Sequence, residues 1–159
     1  MDIITQSLLN IIRLEESFVE IILLSLYVSV VATIFSAILS IILSSHIATN
    51  NFSGKKVIII ILNSLMSLPP VVVGLILYLI FSTSGALGFM DLLYTPSIMI
   101  LAQFIIITPI IISLAIKSFS DKYCLLKEYL NSLRTSKNKI RNTVIFECRF
   151  DLLIIILTG

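Results

Sequence analysis

The chain has 159 residues, of which 58% are hydrophobic and only 13% charged, and its formal net charge is +2. Ordinary soluble domains carry about 25% charge and about 45–50% apolar residues. The composition therefore excludes a disordered chain, a tail that coats polyanions and most soluble enzymes, and a mean hydropathy of +1.11 assigns the chain to a bilayer.

Residues 1–20 hold four acids (Asp2, Glu15, Glu16, Glu20) and a single base, Arg13. That is the reverse of the basic start of a cleavable signal. Ile4, Leu8, Ile11, Ile12 and Leu14 have the spacing of a short amphipathic helix lying on a membrane surface. Three runs without Asp, Glu, Lys or Arg follow: Ile21–Gly54 (34 residues), Val57–Met90 (34) and Leu92–Ile116 (25). A helix needs about 20 apolar residues to cross about 30 Å of hydrocarbon, and lipid cannot satisfy the open edge of a strand. The runs predict three full transmembrane helices, near 20–46, 57–81 and 93–116. A fourth apolar segment, partial at 150–159, is too short to cross, so the chain reads as stopping inside a membrane helix.

Orientation follows from the lysines and arginines. The loop after the first span has Lys55 and Lys56 and no acid, and the loop after the second has Asp91 and no base. The segment 117–149 has eight bases against three acids. This alternation predicts an N-terminus outside, a cytoplasmic 47–56 loop, Asp91 outside and a cytoplasmic 117–149 segment. Within that segment, Leu125, Leu126, Tyr129, Leu130 and Leu133 form one apolar stripe, and Ile140, Val144, Ile145 and Cys148 form another. Thr135-Ser136-Lys137-Asn138 reads as the turn between them. Two readings stay open: an amphipathic hairpin on the headgroups, or a docking element for a cytoplasmic partner.

Inside the second span, Pro69-Pro70 follows Asn63, Ser64 and Ser67 and precedes Gly74. Proline removes a backbone donor, so the helix is expected to kink or break there, with nearby polar side chains available to the freed carbonyls. The break either shapes packing alone or lines a pathway. Pro96 suits the first turn of the third span. Gln103 in that span either bonds a neighbouring helix or faces substrate, Thr108-Pro109 is a further kinking position, and His46 is expected at the cytoplasmic membrane surface. No two ionisable groups share a span, which excludes a catalytic dyad or a proton-relay pair. No Gly-rich phosphate loop is present, so any ATP use belongs to another subunit. Cys124 and Cys148 make neither a metal spacing nor a disulfide framework.

The run from Asn63 to Leu79 (NSLMSLPPVVVGLILYL), then Ser84-Gly-Ala-Leu-Gly88, Tyr94-Thr-Pro96 and Ala102-Gln103, resembles the permease subunit of binding-protein-dependent ABC importers. Within that superfamily it is most similar to the tungstate permeases, close relatives of the molybdate permeases. The resemblance extends from about residue 20 to Gly159. It implies an all-α integral membrane protein with the ABC importer permease fold (a MetI-like helical bundle), forming one permease domain over 1–159. Asn63, Ser67, Pro69, Pro70, Gly74 and Gln103 would line the translocation pathway. The family's ATPase-coupling loop begins Glu-Ala-Ala, with a glycine a few residues on. Here Glu128 matches, Tyr129 and Leu130 replace the alanines, Arg134 replaces the glycine, and Leu133 completes the docking face.

By the same resemblance the chain pairs with itself as a homodimer in the lipid of a bacterial or archaeal plasma (inner) membrane. Two cytoplasmic ATPase subunits, which carry the ATP and magnesium, and an extracytoplasmic oxyanion-binding protein complete the importer. This chain would bind no cofactor, no metal and no nucleic acid, and would do no enzymatic chemistry. The expected function is a pathway for an oxyanion, tungstate first, with molybdate, sulfate or an amino acid as alternatives. The family has the rest of a fourth span and a final one, so the chain is expected to be a C-terminally truncated permease, and a non-functional remnant is the competing reading.

Overall fold

A computed structural model describes residues 16–50, 52–132 and 137–158. In chain order these form α1 (Glu16–Thr49), α2 (Lys55–Leu65), α3 (Pro70–Phe81), a 3-10 turn at Gly88–Met90, α4 (Pro96–Ser132), α5 (Lys137–Glu147) and α6 (Arg149–Thr158). No strand occurs among the described residues. This is the all-α membrane protein that the composition demands. The amphipathic segment expected at 4–14 lies outside the described residues.

Two helices, α1 and α4, are long and apolar enough to cross a membrane unaided. They pack through small residues. Ala32, Ser36, Ser40, Ser44 and Ala48 recur every fourth position of α1, fall on one face, and are all buried. Small side chains let two backbones approach closely where lipid gives helices no hydrophobic reason to associate. The buried hydroxyls are satisfied locally or across the interface. Ser44 donates to the Ser40 carbonyl, Ser45 donates to that of Ile42 at 3.0 Å, and Ser40 donates to the Thr108 carbonyl of α4 at 3.3 Å.

The cross-contacts advance in step along both helices. Ser29 meets Gln103, Ser36 meets Thr108, and Ala48 shares a cluster with Ala115. α1 and α4 therefore run parallel, and residues 50–95 must carry the chain back to the end of the bundle where α1 began. That return starts with a tight corner. Gly54 takes φ 101°, a left-handed conformation glycine adopts freely, and Lys55 Nζ then reaches the carbonyls of Ala48, in the last turn of α1, at 3.0 Å and of Asn50, just past it, at 3.2 Å.

The return path is α2 and α3, and the two are bent by 94° at the intervening residues. At 1.5 Å per residue each is only about 17 Å long, so neither crosses alone. The sequence predicts three full spans; the structure has two continuous ones and this broken pair. The third predicted span also differs. α4 does not stop near 116 but continues without interruption to Ser132, because no glycine or proline stands between Pro109 and that point to end it.

α5 and α6 close the far end. Ile140, Val144, Cys148 and Leu152 are buried against Ala48, Ala115 and Phe119. At the opposite end, Val73, Leu77 and Phe81 bury α3 against Ile98, Leu101 and Ala102 of α4. The turn between α3 and α4 is folded hard onto α3: a β-carbon on Gly85 would run into the carbonyl oxygens of Leu79 and Ile80.

Candidate functional site

The break in the second span is built by backbone chemistry. α2 ends in tightened turns, with Met66 N donating to Leu62 O, Ser67 N to Ser64 O and Leu68 N to Leu65 O, each at 3.1 Å. Pro69 is extended (φ −62°, ψ 132°), as a residue before proline must be, and Pro70 opens α3 in the first helical position, where its missing donor is no loss. The chain then re-enters helix at once, with Val72 N donating to Pro69 O at 2.9 Å. Ser64 Oγ bonds back to Ile60 O at 2.9 Å, one turn before the break, and the tightened turns dress the break itself.

Asn63, Ser67, Pro69, Pro70 and Gly74 are exposed in the isolated chain and lie together along this bent pair. α2 has no buried residue at all. The corner thus offers amide, hydroxyl and backbone groups without fixed charge. Beside it, two clefts separate the pair from α4. One, of about 240 Å³, lies among Leu62, Met66, Val73, Thr108 and Pro109. The other, of about 430 Å³, lies among Gly74, Tyr78, Tyr94, Met99 and Ala102.

Gln103 does not join this group. Its Nε2 donates to Ser29 Oγ of α1 at 3.4 Å, and its Oε1 is buried without a partner among the described residues. On α4 it faces α1, whereas Ala102 and Ile106 face α3. Thr108 also serves the helix pair, donating to the Phe104 carbonyl at 2.5 Å and lying 3.2 Å from Ser36 Oγ.

Of the docking stripe, Leu125 is exposed and Leu126 is half-buried against the α5–α6 cluster. The side chains of Glu128, Tyr129 and Leu130, and all of Leu133 and Arg134, lie outside the described residues. Among the described residues, no cluster of His, Cys, Asp or Glu could hold a metal ion.

Two features escaped the sequence reading. One is the serine and alanine stripe of α1, which a search for small residues at spacing four would have found. The other is a knot joining α4 to the α5–α6 junction, with Ser118 Oγ donating to Asp151 Oδ2 at 3.0 Å and Cys148 Sγ lying 3.8 Å from the Ser118 carbonyl. Burial pushes the Cys148 thiol above its ordinary range. Asp151 and Glu147 add to the rise, and Ser118 and Lys122 oppose it.

The chain is 33% identical, over 93% of its length, to a protein of Peptoclostridium acidaminophilum named tungstate uptake system permease protein TupB. It is 33% identical over 89% of its length to a probable anion ABC transporter permease protein of Haloferax volcanii. The chain is a relative of the tungstate-type ABC permeases. A third permease, the tungstate uptake protein TupB of Campylobacter jejuni, is 39% identical over 66% of this chain. The chain spans 65%, 61% and 44% of the lengths of these three permeases, less than two thirds of each. No protein-family model matches it, and no solved structure does.

Proposed function

We propose that this chain is a membrane-embedded permease subunit of an ABC importer and forms part of a pathway for an oxyanion, tungstate before others. The observation that carries the reading is the break at Pro69-Pro70, set between two continuous helices that run parallel. Broken helices at membrane depth are tolerated where they are buried in protein or line a water-filled path. This one leaves Asn63, Ser67 and Gly74 exposed on the surface of the described residues. Two relatives are named for tungstate and one for an anion, which supports the substrate class.

In this reading the partners are a second copy of the chain, a pair of ATPases that hold ATP and magnesium, and an external oxyanion-binding protein. The ATPases would dock on Glu128, Tyr129, Leu130, Leu133 and Arg134, with the loops at 47–56 and 117–149 in the cytoplasm. Closure of the ATPases would alter access to the pathway by rocking packed helices, with no covalent step in this chain. An uncharged, hydroxyl- and amide-lined corner binds an oxyanion weakly, which suits passage, and leaves selection to the external protein.

The test is uptake in cells that express the chain with its ATPase and binding protein. Tungstate uptake is expected to exceed sulfate uptake at equal low concentration. Pro69→Ala with Pro70→Ala is expected to reduce transport more than membrane abundance. Equal losses would reduce the prolines to a folding role, and preferred uptake of sulfate or an amino acid would overturn the substrate.

A further inference from the structure

Where α4 meets α6, a cleft of about 430 Å³ has a rim of mixed charge over an apolar floor. Lys117 and Lys122 supply two ammonium groups, Asp121 and Asp151 supply two carboxylates, and Leu114 and Ile155 line the interior. Counted from Leu114, the α4 members Lys117, Asp121 and Lys122 stand three, seven and eight residues on and fall on one face of that helix. Their height is set by the sequence. Lys117 is the first charge after the run Leu92–Ile116, and Asp151 precedes the uncharged remainder of α6. The rim therefore stands where hydrocarbon gives way to headgroups.

A simple anion fits this rim badly, because either carboxylate would repel it. A simple cation meets the same objection from the lysines. A ligand that carries both charges a few ångströms apart, with apolar chains attached, satisfies all four groups and the floor together. We infer that the cleft is a binding site for a zwitterionic phospholipid with a primary ammonium headgroup, phosphatidylethanolamine. Its phosphate lies against Lys117 and Lys122, its ammonium donates to Asp151 and Asp121, and its acyl chains run along Leu114 and Ile155. Ser118 occupies only one of the acceptor positions of Asp151, so the carboxylate keeps others for the headgroup. Charge-assisted hydrogen bonds of this kind are the strong ones, and a headgroup pocket between helices near the membrane surface is a known way to hold a lipid. The cleft volume lies within the usual range for small-ligand sites. The inference is independent of what the chain transports.

The discriminating chemistry is the ammonium. Phosphatidylcholine has the same phosphate, but its trimethylated nitrogen has no N–H to donate, and phosphatidylglycerol has no cation. The test is native mass spectrometry of the whole chain, purified in mild detergent, stripped of lipid and titrated with each of the three lipids separately. Phosphatidylethanolamine is expected to be retained about tenfold better than either of the others. Asp121→Asn, at an exposed position away from the Ser118 bond, is expected to erase much of the preference over phosphatidylcholine. Lys117→Gln with Lys122→Gln is expected to weaken all three. Equal retention of the three lipids, or a preference for phosphatidylglycerol, would overturn the proposal. So would the absence of any retained lipid, the result expected if another stretch of protein fills the cleft.

Discussion

Ser118 Oγ donates to Asp151 Oδ2 across 3.0 Å and so joins the body of α4 to the first turn of α6. Asp151 is well placed for this, since a carboxylate in the first turn of a helix also offsets the unpaired N–H groups there. A hydrogen bond to a charged acceptor contributes about 1.5–3 kcal/mol, and Ser118→Ala removes the donor while leaving the half-buried carboxylate in place. Loosening of the α5–α6 junction is then expected to raise the rate at which a maleimide reaches Cys148 by about tenfold, the equivalent of 1.4 kcal/mol. An unchanged rate would show that the bond contributes nothing to closing this end.

The two cysteines provide an internal comparison. Cys124 is exposed and Cys148 is buried. Burial favours the neutral thiol of Cys148, so the fold holds that proton to higher pH than the unfolded chain does. Its contribution to stability is fully present below the ordinary thiol value of 9.0 and is lost as pH rises through the folded value. At neutral pH a maleimide is expected to modify Cys124 alone. Reaction at Cys148 should appear only in strong alkali or on unfolding. Equal labelling of both at pH 7 would contradict the packing of the junction.

The interface of α1 with α4 predicts a sharp asymmetry between removing and adding atoms. Ser40→Ala gives up one hydrogen bond of the kind worth about 0.6 kcal/mol between membrane helices. Ser40→Leu pushes the helices apart and should cost about 1–3 kcal/mol, with a clear fall in the midpoint of thermal unfolding in detergent. Ile42→Leu, at a site 61% exposed on the other side of the same helix, should leave that midpoint unchanged.

The charge alternation predicts topology. With Cys124 and Cys148 replaced, Ser53→Cys and Ser136→Cys should react only with reagents that reach the cytoplasm, and Ser84→Cys only with reagents outside. Labelling of Ser136→Cys from outside intact cells would reverse the orientation.

Much of this architecture is legible in the chain, and the reasons for success and failure are physical. The charge-free runs locate α1 and α4 because burying a charge in lipid is costly. The break between α2 and α3 is legible because Pro69-Pro70 cannot continue a helix. The far end of α4 is not, since Lys117 ends the charge-free run but nothing local ends the helix there. The stripe on α1 is hidden because its serines and alanines sit in a run so rich in isoleucine that hydropathy alone averages them away. The placement of Gln103 against Ser29 required the parallel register of two helices distant in sequence, which no local pattern encodes.

The unbroken length of α4 has a mechanical consequence. Thr108 is one point at which Ser36 and Ser40 hold the helix. From there, at 1.5 Å per residue, about 18 Å of helix lead to Pro96 and about 36 Å lead to Ser132. α1 also packs against the helix at Gln103 and Ala115, so the two are joined along their length and not at one point. A sideways load at the Ser132 end is therefore shared by the α1–α4 pair as one unit, instead of being absorbed at a single hinge.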